Sequence, residues 1–297
     1  MSKRYLANNE SLIKKALYLR LMAEDIADGM KSGNFRSLYR GQGIEFSGVR
    51  DYIRGDDVRS IDWNVTARMG RPYVKVFEEE RELQIFIVMD TSASMLLDCG
   101  SRLPTKYEAG ANTAALIALA AEMNGCPVGA VFFDGQIHFS CKPQSGKERT
   151  MLLLTHLDKL PAKKTPGSVL ANALIGADKI LRKRSLVFVL SDFRSADWET
   201  PLIKLAQKND VVAFRLTDEF DRALPSVGSA VFKDVESDLK MVLPTSSGKL
   251  KEEWKNRNES MQWRWQETCL KHGIIPELMN VSDDPLQLLG TVFEAKK

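Results

Sequence analysis

The sequence predicts an α/β chain built on a doubly wound, mostly parallel sheet, preceded by an N-terminal helix and an irregular extension. Three observations carry that reading. Short apolar runs of strand length recur after residue 82, led by Leu83-Gln84-Ile85-Phe86-Ile87-Val88-Met89 and Leu186-Val187-Phe188-Val189-Leu190, and runs of this kind suit strands buried on both faces. Helix-like stretches separate them, which is the alternation expected of parallel strands joined by crossovers. The first run also ends on Asp90-Thr91-Ser92-Ala93-Ser94, and the second on Ser191-Asp192, so hard oxygen ligands stand at the carboxyl ends of two strands.

Along the chain, Leu12, Ala16, Leu19, Ala23, Ile26 and Met30 recur at spacings of four and three, which predicts a helix of about twenty residues ending near Gly29 to Gly33. Such a stripe normally covers the chain's own core, with partner binding as the alternative. Residues 1–35 are assigned to this helix and 36–82 to a charged, strand-poor extension broken by Gly41, Gly43, Gly48, Gly55 and Gly70. Residues 83–297 form the main domain. There, helix-like Tyr107 to Asn124 leads to strands Val128 to Phe133 and Ile137 to Phe139. Helices near Lys147 to Leu160 and Val169 to Arg182 precede the Leu186 strand, and a helix around Pro201 to Lys208 precedes the strand Val211 to Leu216. A hairpin insertion near 228–245 is expected, Ala230 to Leu243 turning at Ser237-Asp238. A helix from Leu250 to Lys271 then feeds a last strand, Ile274 to Met279.

Composition narrows the function. The chain of 297 residues is 44% hydrophobic and 27% charged, and a fold of this size buries roughly 75% of its unfolded surface without needing a disulfide or metal as a staple. Forty-two basic residues against 39 acidic ones leave a net charge of +3, which gives no case for nucleic acid. Cys99, Cys126, Cys141 and Cys269 are widely spaced and read as reduced thiols, so a cytoplasmic protein is expected. The first ten residues turn polar before an apolar signal core can form, and no stretch approaches 18 apolar residues, so membrane insertion is not expected. Gly146-Lys147-Glu148 and Gly248-Lys249-Leu250 lack the rest of a phosphate-binding loop, and Gly41-Gln42-Gly43 lacks a third glycine in register. There is no Gly-x-Ser-x-Gly elbow, and His138, His156 and His272 are far apart in the sequence.

What remains is the oxygen cradle. In an open α/β sheet ligands bind beyond the carboxyl ends of the strands, where the crossovers diverge, and Asp90 and Asp192 are expected at that edge. The loop Lys164-Thr165-Pro166-Gly167-Ser168 should reach it too, offering the hydroxyl of Ser168 or, less readily, of Thr165. Carboxylates and hydroxyls without imidazole or thiolate suit Mg²⁺ or Mn²⁺ rather than zinc. The plainer alternative is that Asp90 and Asp192 cap the following helices, Ser92 and Ser94 satisfy local amides, and Ser168 caps the next helix.

The set Asp90, Ser92, Ser94, then Ser168 aligned by Ala173-Leu174, then Asp192, resembles the metal-ion-dependent adhesion site of von Willebrand factor A-type domains, a Rossmann-like fold. The family pattern has Thr where Ser168 stands. That resemblance implies a Mg²⁺ site made of these five residues. A narrower resemblance covers most of the chain. Gly43-Ile44-Glu45-Phe46, Arg50-Asp51-Tyr52, Gly55-Asp56-Asp57-Val58-Arg59-Ser60-Ile61-Asp62-Trp63 and Ala67-Arg68 are similar to the bacterial proteins called domain of unknown function 58. Several members of that family are encoded beside MoxR-type AAA+ ATPases, which implies a chaperone-like or assembly partnership with such an ATPase.

The expected function is therefore a non-enzymatic, metal-dependent protein-interaction module whose partner presents an Asp or Glu to the ion. Two alternatives stand beside it. One is a Mg²⁺-dependent phosphoryl-transfer enzyme with Asp90 as nucleophile, which Ser92 argues against because it stands where a general-acid Asp would be needed. The other is a metal-independent scaffold docking through the Leu12 helix or the charged extension. In that extension Arg50, Arg54, Arg59 and Arg68 interleave with Asp51, Asp56, Asp57 and Asp62, and are expected to form bidentate pairs holding it against the main sheet, with Trp63 as a packed anchor. A partner-docking surface is the other use of that string.

Overall fold

The computed structural model describes residues 12–32, 43–80, 83–97, 103–159, 168–224, 226, 228–233 and 240–293. A six-stranded sheet organises it. Helix α1 (Leu12–Ser32) comes first, then an antiparallel ribbon of β1 (Gly43–Asp51) and β2 (Tyr73–Glu80) enclosing a 3₁₀ turn (Val58–Ser60) and α2 (Trp63–Met69). The main sheet begins with β3 (Gln84–Asp90). It continues through α3 (Lys106–Met123), β4 (Val128–Phe133), β5 (Ile137–Gln144), α4 (Lys147–Asp158), α5 (Leu170–Ile180), β6 (Ser185–Ser191), α6 (Glu199–Ala206), β7 (Asp210–Thr217) and α7 (Glu219–Arg222). A hairpin of β8 (Ser229–Lys233) and β9 (Lys240–Pro244) follows, then α8 (Gly248–Lys271), β10 (Ile275–Asn280) and α9 (Pro285–Phe293).

The spatial order is β5-β4-β3-β6-β7-β10, all parallel except β5. From β3 the chain steps outward through β4 to β5, and from β6 outward through β7 to β10, so the direction of winding reverses between β3 and β6. That is the switch point at which doubly wound sheets open a crevice.

Strand alternation decides the layers. Ile85, Ile87 and Met89 of β3 share one core with α1, α3, α4 and α9, while Phe86 and Val88 share the other with α5, α6 and α8. Both faces are therefore covered, which is why the strands read as continuous apolar runs. Helix α3 starts at a reciprocal capping box, Thr105 Oγ1 accepting from Glu108 N and Glu108 Oε2 accepting from Thr105 N. It lies so close to the sheet that a Cβ on Gly110 would stand 2.9 Å from Met89 Cε.

The N-terminal stripe covers the chain's own core, as its spacing suggested. Leu19, Ala23, Ile26 and Met30 are buried, and α1 is tied to α3 by Arg20–Glu122 at 2.9 Å and by Asn124 Nδ2 donating to Ala27 O at 2.7 Å. The hairpin, α8 and β10 also fall where the sequence placed them; the expected turn Ser237-Asp238 lies outside the described residues.

The extension departs from expectation in three ways. It is an antiparallel ribbon of nine- and eight-residue strands, not a strand-poor segment. Trp63 is 68% exposed, so it is no packed anchor. The carboxylates act locally. Asp56 takes a bidentate pair from Arg50 at 2.6 and 2.7 Å, while Asp57 and Asp62 cap the 3₁₀ turn and α2. That pair holds Asp56 down to about 2, chiefly through the hydrogen bonds from Arg50. These contacts shape the extension from within.

Gly129 on β4 sits at a bulge against β5, where a Cβ would meet Pro143 N at 2.6 Å and Cys141 O at 2.8 Å. Those are backbone atoms and cannot swing away. Gly129→Ala should therefore destabilise the chain by about 2 kcal/mol and lower its melting temperature by roughly 5 °C, measured by calorimetry. An unchanged melt would contradict this close approach.

Candidate functional site

Strand β3 ends on Asp90 and β6 ends on Ser191, and the two strands are hydrogen-bonded neighbours. Adjacent parallel strands thus deliver Asp90 and the Ser191-Asp192 pair to one edge of the sheet. Each carboxylate spends one oxygen locally. Asp90 Oδ1 accepts from Ser92 N at 2.9 Å, and Asp192 Oδ1 accepts from Arg194 N at 3.2 Å. Neither aspartate caps a helix, since the residues entering the next helical segments are Ser92 and Trp198; these two oxygens satisfy loop amides two residues on.

The second oxygens differ. Asp90 Oδ2 accepts from Ser191 Oγ at 2.7 Å and lies 3.5 Å from Ser168 Oγ. Asp192 Oδ2 is buried and receives no hydrogen bond; its nearest cations, Arg194 Nε and Lys106 Nζ, stand 3.8 and 3.9 Å away, beyond hydrogen-bond reach. Ser92 and Ser94 hydroxyls lie 3.2 Å apart in the turn after β3, and Ser92, first residue of that turn, uses its side chain for no cap. Ser168 caps no helix: the residue entering α5 is Val169, whose amide donates to Asp134 O at 2.9 Å. Ser92 and Ser168 thus contact Asp90, Ser94 contacts Ser92, and Asp192 follows Ser191, the serine that donates to Asp90. Thr165 lies outside the described residues.

Burial gives the cluster its electrostatics. Asp90, Ser92 and Asp192 are 1%, 0% and 3% exposed. Desolvation, and then the nearby Asp192 charge, push the Asp90 carboxyl up to about 7, against the opposing hydrogen bonds from Ser191 and Ser92. Two buried carboxylates this near repel one another, and a cation between them would relieve the repulsion. The uncapped Asp192 Oδ2 fits such a group, as does the donor set of two carboxylates and three hydroxyls, which suits a small hard ion. Among the described residues no three His, Cys, Asp or Glu side chains are grouped to hold a metal. An ion here would depend on the serine hydroxyls.

Several groups at the site lie outside the five expected ligands, although Ser191 and Thr91 stand in the two strand-end motifs. Ser191 orients Asp90 and itself accepts from Phe193 N at 3.0 Å. Thr91 Oγ1 donates to Phe133 O at 2.9 Å, so His138 Nε2, 2.7 Å away, must be the donor to it. That contact ties the Asp90 loop to β5. Phe193, directly after Asp192, holds φ of +54°, a left-handed conformation that strains a bulky side chain. Its ring is fixed between Trp198 and Trp265, with centroids 5.2 and 5.8 Å away. An open cleft of about 270 Å³, lined by Phe193, Arg194, Trp198, Met261 and Arg264, adjoins this loop.

The family model described as "Protein of unknown function DUF58" matches residues 48–263, more than two thirds of the chain. The chain belongs to the DUF58 family. Uncharacterized proteins of Mycobacterium tuberculosis and Mycobacterium bovis are each 31% identical to this DUF58 chain over 223 residues, covering 74% of it and 69% of their own lengths. Among solved structures it is similar to an aerotolerance-related membrane protein from Bacteroides fragilis, with a TM-score of 0.47, 15% identity and coverage of 71% of this chain and 98% of that one. It is also similar to the SpRpn10 VWA domain, with a TM-score of 0.37, 14% identity and coverage of 70% and 93%. Among the described residues of the DUF58 chain no helix is long and apolar enough to cross a membrane.

Proposed function

We propose that this chain is a divalent-cation-dependent protein-interaction module rather than an enzyme, serving as partner or adaptor of a MoxR-type AAA+ ATPase in chaperone-like assembly or maturation of other proteins. The observation that carries the reading is the pairing of Asp90, whose carboxyl is pushed up to about 7, with the hydrogen-bond-free Oδ2 of Asp192 at the sheet's switch point. Asp90, Ser92, Ser94, Ser168 and Asp192 would hold Mg²⁺ or Mn²⁺. A bound ion would supply positive charge and a coordination position suited to an incoming carboxylate, since Mg²⁺ keeps exchangeable waters when the protein provides few ligands.

The chain's own residues have defined parts in this. Ser191 turns Asp90 toward the site, and the Ser92 amide fixes its other oxygen. The Arg194 amide does the same for Asp192. Burial of Asp90, Ser92 and Asp192 excludes bulk water and strengthens any charge interaction formed there. A partner's Asp or Glu would supply the remaining oxygen. Against phosphoryl transfer, Ser92 stands where a general-acid Asp would be needed, and its hydroxyl contacts Ser94.

The test is capture of the ATPase partner by immobilised protein in Mg²⁺ and in EDTA, with Asp90→Ala alongside. Capture is expected in Mg²⁺ only, and to be lost in the variant. Equal capture in every condition would remove the ion from the mechanism.

A further inference from the structure

A second group of charges lies buried beside the carboxylate pair. Lys106, the first residue of α3, has a side chain only 2% exposed, and its Nζ stands 2.8 Å from Asp221 Oδ2, 3.4 Å from Asp218 Oδ2 and 3.9 Å from Asp192 Oδ2. Two of those carboxylates are fixed by the backbone. Asp218 Oδ1 accepts from Asp221 N and Asp221 Oδ2 from Asp218 N, the reciprocal cap of α7. Arg194 also contacts Asp221, and Arg215 of β7 is 4% exposed nearby, under the influence of both Asp221 and Asp192. Three acids thus face three bases. The single Lys106 ammonium is held by Asp221 and Asp218 and lies within 3.9 Å of Asp192.

The 3.9 Å separation is too long for a hydrogen bond, so Asp192 Oδ2 remains free to take a ligand. It is short enough for a strong Coulomb effect where water is excluded. We propose that Lys106 is a positioning residue for the candidate cation site: a built-in counter-ion that balances Asp192 when no ion is bound and weakens divalent binding, so that ion and guest carboxylate are released readily. The inference rests on the reading that Asp90 and Asp192 hold a divalent ion. It adds a coupling of that site to the β7–α7 turn.

The experiment titrates Mg²⁺ alone into the full chain by calorimetry. Lys106→Met, of similar length and no charge, is expected to bind Mg²⁺ at least roughly tenfold more tightly than the parent, because a positive charge 3.9 Å from a buried ligand oxygen is removed. Lys106→Arg, which retains the charge, should stay near the parent value. Should Lys106→Met fail to fold with three acids left facing two bases, Lys106→Gln removes the charge but keeps a donor for Asp221, and it too should bind more tightly. Equal or weaker Mg²⁺ binding in the folded variants, with the parent binding normally, overturns the role of Lys106 alone. A parent that takes up no Mg²⁺ overturns the cation site itself, and the role of Lys106 with it.

Discussion

Asp90→Asn is expected to lose divalent binding and yet, in metal-free buffer at pH 8, to be more stable than the parent by a few kcal/mol. The folded Asp90 carboxyl sits at about 7, above its ordinary value of 3.8, because the charged form is desolvated and faces Asp192. A raised folded value means that Asp90 favours the folded state most fully below pH 3.8, and that this contribution is lost as pH climbs through about 7. A shift of this size sets a ceiling of about 4 kcal/mol. Asparagine keeps an acceptor for the Ser92 amide and carries no charge to desolvate. Denaturant melts in EDTA between pH 5 and pH 8 check the prediction: parent stability should fall relative to the variant across that window. Parallel profiles would show that Asp90 is not strained by burial. Adding Mg²⁺ at pH 8 should restore the parent and leave Asp90→Asn unmoved.

Trp265→Ala is expected to cost about 3–5 kcal/mol, and to weaken cation binding although Trp265 touches none of the proposed ligands. Trp265 is 2% exposed on α8, and its ring is packed on Phe193, the residue held left-handed immediately after Asp192. Removing the indole leaves a cavity and frees the Phe193 backbone to relax, and the Asp192 turn would move with it. Trp263→Ala provides the control two residues away: that side chain is 65% exposed, and its loss should change stability by less than about 0.5 kcal/mol. Thermal melts and Mg²⁺ titrations of both variants separate the outcomes. Equal behaviour of the pair would deny Trp265 its part in fixing the Asp192 turn.

How much of this was legible in the sequence follows the range of the interactions involved. β3 and β6 declared themselves because strands covered on both faces need continuous apolar runs, and the residues at their ends came with them. The α1 stripe was legible because helical spacing is local. The β1–β2 ribbon was not, since pairing Arg50 with Val74 depends on a partner more than twenty residues away, and the glycines between suggested interruption. Trp63 was misjudged by composition: a tryptophan in a charged string suggests an anchor, but only packing decides whether one side of α2 is covered. Asp218 and Asp221 share the three-residue spacing of a capping box, but Lys106 stands more than a hundred residues before them. They meet because α3 begins beside the end of β7, a consequence of the winding order that no short motif encodes.

The central claim is that Asp90 and Asp192 face one divalent ion. It is tested most directly by titrating Mn²⁺ into the purified chain and following the free ion by electron paramagnetic resonance, with Asp90→Ala and Asp192→Ala in parallel. The account predicts uptake of one ion per chain by the parent, competed by Mg²⁺ and lost in both variants. No uptake by the parent, or uptake that survives both substitutions, would contradict it.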